Sequence, residues 1–172
     1  MGTVHVGQHD ERVVSNVGSF IANLPEMLGA MMVDPRCLVA VIEFEDVRYV
    51  QYLACPQRPM IAEVISNLNI GDAIALTPAD ENKLRAAGWS EPSPGETPNW
   101  RFEAQDITGL MSVVTMSRDA VYDVLREHDA NPVSVRIWEG LHRVGTSDDA
   151  GEPPRVRTNA IIRDLEQRLR ES

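Results

Sequence analysis

The sequence predicts an α+β domain, a twisted antiparallel sheet packed by helices. Three observations predict it. Residues 37–66 hold three short runs rich in branched and aromatic residues, CLVAVIEF, YVQYLA and MIAEVIS. Their connections are too short for a parallel crossover, so they form an antiparallel meander. Apolar residues recur at three and four on either side of that meander, which marks amphipathic helices. NWRFEA (99–104) and PVSVRIW (132–138) then supply one or two further strands. The expected order is α-β-β-β-α-β-α.

The first helix is expected over about 11–32. Val13, Val14, Val17, Phe20, Ile21, Leu24, Met27, Leu28 and Met31 draw one stripe. Pro25 falls inside it and predicts a kink or a break. Asp34 and Pro35 end it. In the meander, a two-residue turn at Asp46-Val47 places Cys37 opposite Pro56 and Cys55 one step away. The two thiols are then neighbours, and a cytoplasmic chain would keep them reduced. Thr77-Pro78-Ala79-Asp80 opens a second helix, with threonine as cap, proline at the first turn and aspartate completing a capping box. Gly88 ends it in a left-handed conformation. Asp106 caps a long helix over about 107–128, with a stripe of Ile107, Leu110, Met111, Val114, Val121, Val124 and Leu125.

Residues 1–10 read as a disordered N-terminus, 11–140 as the domain and 141–156 as a linker rich in glycine and proline. Residues 157–172 read as a C-terminal amphipathic helix lined by Ile161, Ile162, Leu165 and Leu169. From Arg155 onward five arginines face three acids, so the tail carries +2 and the remainder −12. The tail either docks on its own acidic domain or serves as a dimerisation or partner-binding arm.

Of 172 residues, 43% are hydrophobic, enough for a core without metal or disulfide staples. The net charge of −10 argues against nucleic acid and anionic membranes, which need a basic footprint. No apolar run is long enough to cross a membrane, and the N-terminus lacks the pattern of a signal peptide. The expected location is cytoplasmic. The four histidines have no ligand set at metal spacing, and no HExxH, CxxC, GxSxG, GxGxxG or P-loop pattern occurs. No catalytic residue, metal or cofactor is therefore assigned.

Gln51 and Glu63 are the polar residues that interrupt apolar strands, and Asn67 closes the third. Strand alternation allows Gln51 and Glu63 to be cross-strand neighbours. A carboxylate beside an amide is a weak catalytic arrangement, because acid–base work needs a second titrating group. A half-wet sheet face with one polar pair is the stronger reading, and a binding face comes next.

RYVQY, AEVISNLNI, LTPADENKLRAAGWSEP and NW follow one another in the order seen in the TY-Chap group of small bacterial domains. The shared positions are Tyr49, Val50, Gln51, Glu63, Ser66, Asn67, Gly88, Trp89, Pro92 and Asn99. The resemblance covers about residues 11–128. It implies the type III secretion chaperone-like fold, shared with YbjN-like proteins. It also implies a non-enzymatic, chaperone-like module that offers a sheet or groove to a protein partner, often as a homodimer. On this resemblance Tyr49, Gln51, Glu63, Asn67 and Trp89 form a motif patch. Trp89 can stand against that patch or plug the core behind Gly88. Three other readings stay open: an immunity or antitoxin-like protein whose acidity complements a basic toxin, an enzyme using Glu63, and a subunit whose C-terminal helix docks on a larger assembly.

Overall fold

Every second residue of the central strands is buried, and this alternation separates a helix-covered face of the sheet from one, called the uncovered face below, on which no described helix lies. The computed structural model describes residues 13–94 and 97–139. The strands are β1 (Val13–Asn16), β2 (Leu38–Phe44), β3 (Tyr49–Ala54), β4 (Met60–Val64), β5 (Trp100–Ala104) and β6 (Pro132–Glu139). They form one antiparallel sheet in the order β1-β6-β2-β3-β4-β5. The helices are α1 (Val17–Val33), α2 (Pro78–Ala87) and α3 (Ile107–Asp119), the last continuing as a π-helical turn over Ala120–Val124. Leu38, Ala40, Ile42, Val50, Tyr52, Met60, Ala62 and Val64 join Phe20, Leu24, Leu28, Val113 and Val121 in one aliphatic core.

The first element differs from expectation. Residues 13–16 are a strand, not the start of a helix. Val13 faces Val135 and Asn16 faces Pro132 of β6. Two adjacent valines suit a pleated edge better than a helix. Asn16 sets the helix start, because its side chain accepts from the Ser19 amide at 2.8 Å. Helix α1 then runs through Pro25 without a break. Its buried stripe of Phe20, Leu24, Met27, Leu28 and Met31 offsets the hydrogen bond that proline forfeits.

The first hairpin has three loop residues rather than two. Phe44 N–H donates to Arg48 C=O at 2.9 Å, and Val47 takes φ 66° at the end of the loop. A turn followed by a left-handed residue is the usual three-residue solution. The register shifts by one as a result. Val39 faces Leu53 and Leu38 faces Ala54, so Cys37 lies directly opposite Cys55. The two are joined as a disulfide with Cα atoms 4.1 Å apart, which corrects the expectation of a reduced pair. At the next hairpin Pro56 and Gln57 turn the chain, with Gln57 at φ 59°.

Helix α2 follows its signals. Thr77 Oγ1 accepts from the Asp80 amide at 3.2 Å, and Asp80 Oδ2 accepts from the Thr77 amide at 3.0 Å. Gly88 has φ 96°, and Trp89 N–H donates back to Leu84 C=O at 3.1 Å. Asp80 is buried and also accepts both bonds of the Arg126 guanidinium at 2.9 Å. Helix α3 is capped by Asp106 and buries Leu110, Val113, Val114 and Ser117. Ile107 and Met111, expected in its stripe, are each 58% exposed. The buried line turns away from them because Gly109 lies against β5, where an added Cβ would stand 2.9 Å from the Ala104 Cβ. The expected linker, tail helix and disordered N-terminus lie outside the described residues.

Two outcomes follow. The disulfide closes a separation of 18 residues, so replacing both cysteines with serine removes a constraint on the unfolded chain. The expected loss is about 2–3 kcal/mol in urea unfolding, and a thiol titration of the native protein reads no free sulfhydryl. Burial pushes the Asp80 carboxyl up, but the Thr77 hydrogen bonds and the Arg126 guanidinium outweigh it and hold it below its ordinary value. Its stabilisation is therefore complete above the ordinary carboxylate range and is lost as pH falls through the lowered native value. Asp80→Asn should cost about 2 kcal/mol at neutral pH and flatten the acid limb of the stability curve.

Candidate functional site

Alternation along β3 and β4 decides what the uncovered face carries. Tyr49, Gln51 and Leu53 of β3 point to it, beside Ile61 and Glu63 of β4. Gln51 and Glu63 are direct cross-strand partners, and Gln51 Nε2 donates to Glu63 Oε2 at 2.5 Å. Asn99, just before β5, completes the group. Its Nδ2 donates to the same Glu63 oxygen at 3.1 Å and to the Tyr49 hydroxyl at 3.0 Å. Asn69 Nδ2 donates to Asn99 Oδ1 at 2.8 Å. Asn99 is 2% exposed, so it serves as the hub on which the others converge. Ser66 holds the hub in place by donating its hydroxyl to Pro98 C=O.

Asn67 stands apart from this group. Its side chain pairs with the backbone of Leu76 as a strand would, accepting from the amide at 2.7 Å and donating to the carbonyl at 2.9 Å. It also donates to Glu81 Oε1 of α2 at 3.1 Å. Asn67 thus closes the loop between β4 and α2. Trp89 is on the helix side of the sheet. It is buried and meets Phe102 edge to face, with ring centroids 6.2 Å apart. The structure therefore brings Tyr49, Gln51 and Glu63 together and leaves Asn67 and Trp89 elsewhere. Sequence reasoning missed the central place of Asn99 and Asn69. The signal was present in NLN and PNW, since asparagines flanking strands often bond to neighbouring chain segments.

Next to the polar group runs an apolar row. Trp138 faces Val39, Val39 faces Leu53, and Leu53 faces Ile61. These four half-buried side chains cross β6, β2, β3 and β4 on the uncovered face. Val41 lies beside the row, between Gln51 and Arg136. Charges rim it: Arg136 bonds Glu43 at 3.3 Å, and Arg101 bonds Glu103 at 2.6 Å.

The chemistry available is recognition. Glu63 Oε2 is met by two neutral amides, Gln51 and Asn99. Such partners orient a carboxylate but move no proton. A recess of about 340 Å³ opens beside Cys55, lined by Met32, Gln57, Arg58, Met60 and Gln105 among others, and does not include Glu63. Among the described residues no group of three acids, histidines or cysteines is placed to hold a metal ion. No described helix is long and apolar enough to cross a membrane.

The polar group predicts an order of effects on stability. Asn99→Ala strips bonds from Tyr49, Glu63 and Asn69 together and should cost about 2–3 kcal/mol. Gln51→Ala removes one part-exposed bond and should cost about 1 kcal/mol. Urea denaturation of both variants checks the ranking, and equal losses would show that Asn99 is no hub.

Searches of curated proteins and of solved structures returned no match. Residues 18–139 match the family TY-Chap3, described as type III secretion system (YopN, CesT) and YbjN peptide-binding chaperone 3. That span runs from the first turn of α1 to the last residue of β6, so it takes in β2 to β6, their helical cover and the apolar residues of the uncovered face, and leaves out β1. With most of its length matched, the chain belongs to the TY-Chap3 family of peptide-binding, chaperone-like domains.

Proposed function

We propose that the protein binds an apolar segment of a partner protein on the uncovered face of its sheet and performs no chemistry on it. The observation that carries this reading is the row of Trp138, Val39, Leu53 and Ile61. Burying four such side chains more fully would favour binding by several kcal/mol before the cost of ordering the partner. The row is bounded by paired charges and by the amide-held Glu63, which set where a segment lies and reject poorly matched ones. The environment of Glu63 supports a binding role over an enzymatic one.

A second copy of the chain is also proposed as a neighbour. Ile107 and Met111 lie one turn apart on α3 and are both largely exposed. Apolar pairs at that spacing suit a helix-to-helix contact.

Panning a random peptide library against the protein tests the first reading. Peptides with spaced aliphatic or aromatic residues should be enriched. Leu53→Asp and Val39→Asp should each weaken an enriched peptide at least tenfold, with melting temperatures close to that of the parent. Unchanged affinity in both variants would remove the binding site from this face.

A further inference from the structure

We propose that the chain's own C-terminal segment, residues 158–170, docks on the apolar row and competes with partner segments for it. This rests on the reading of the uncovered face as the binding site. Four observations converge on that segment as occupant.

The first is where the described chain ends. Strand β6 finishes at Glu139, one residue past Trp138, so the following chain leaves from one end of the row. The second is reach. Eighteen residues separate Glu139 from Thr158. As a flexible coil they span about 25 Å on average, and the row crosses three strand spacings, about 14 Å. The third is shape. Ile161, Ile162, Leu165 and Leu169 recur at three and four. In a helix their span is about 12 Å, close to the length of the row. The fourth is charge. The tail from Arg155 carries five arginines against three acids. Among the described residues of the uncovered face Glu43 is bonded to Arg136 and Glu103 to Arg101, whereas Glu63, cross-strand from Arg101, accepts from the amides of Gln51 and Asn99. Glu63 thus has no bonded cation among the described residues, and the remainder of the chain carries −12.

A tethered segment acts at a high effective concentration. A weak intrinsic affinity therefore suffices to occupy the face most of the time. An outside segment would then bind with an apparent affinity reduced by the fraction of open chains. Only partners that outcompete the tail would be retained, so the tail sets a threshold of affinity.

The full-length protein carries its own probe. Trp89 and Trp100 are buried, and Trp138 is the part-exposed tryptophan within the row. Acrylamide quenching therefore reads the cover over Trp138, and Trp138→Phe in the full chain verifies the assignment. Wild-type protein should be quenched about threefold less than the full-length double variant Ile162→Asp/Leu165→Asp. A synthetic peptide of residues 155–172 should restore the protection. Equal quenching of wild type and variant overturns the proposal. Protection that vanishes on dilution also overturns it, because the cover then comes from a second copy. Affinity for a library-selected peptide separates this proposal from the one beneath it. The double variant should bind that peptide about tenfold more tightly than wild type. Equal binding to both leaves the face as a binding site and removes the tail from it. Shielding without any peptide binding keeps the tail and removes the partner site.

Discussion

The three-residue loop Glu45-Asp46-Val47 is the constraint on which the rest of the sheet depends. Side chains alternate along a strand, so a slip of one residue would exchange the two faces of β2 relative to β3. The loop stores some strain, since Val47 is a branched residue at φ 66°. Asp46 offsets it by accepting from the Arg48 amide at 3.1 Å and from its guanidinium at 2.6 Å. The same guanidinium reaches Glu127, buried near the start of β6, at 3.3 Å. A local turn is thereby tied to a segment 79 residues later in the chain. The register of β2 on β3 follows from this loop: the cysteines meet, Val39 meets Leu53, and Val41 meets Gln51.

The layers are unequal, and that inequality suits recognition. One face of the sheet is covered by α1, α3 and the core they share, with Tyr52, Trp100 and Met60 fully buried. The other face keeps apolar side chains half buried and mixes them with charges. An antiparallel sheet tolerates this, because one solvated face is its common condition. The mixture limits self-association while leaving enough apolar surface to reward a well-matched partner.

Much of this was legible in the sequence where local chemistry governs. The meander, the capping box at Thr77 and Asp80, the stop at Gly88 and the cap at Asp106 are each written in two to four residues. The pairing of Gln51 with Glu63 was legible too, because the second hairpin is bounded by prolines that leave little choice of register. What escaped depends on distant partners. Val13 and Val14 share the spacing of the helix that follows, and only β6, more than a hundred residues later, makes them a strand. Asn67 and Asn69 are two residues apart and look interchangeable. One closes a loop onto Leu76 and the other reaches Asn99. The exposed Ile107 and Met111 fit the helical period as well as the buried residues do, and the close approach of Gly109 to Ala104 decides which line turns inward.

The strand order carries a consequence for how the molecule is made. Strand β6 lies between β1 and β2, so β1, the first described strand, has no partner until β6, the last described one, has left the ribosome. Until then β2 has one open edge, and β1 has nothing to pair with. Long-range closure of this kind is slow, and unpaired strand edges invite wrong contacts. The hairpins β2–β3 and β3–β4 are local and can form early, giving the nascent chain a folded nucleus with one unfinished side. A domain from a family of chaperones thus passes through the very vulnerability that chaperones exist to cover, and leaves it only when residue 139 is in place.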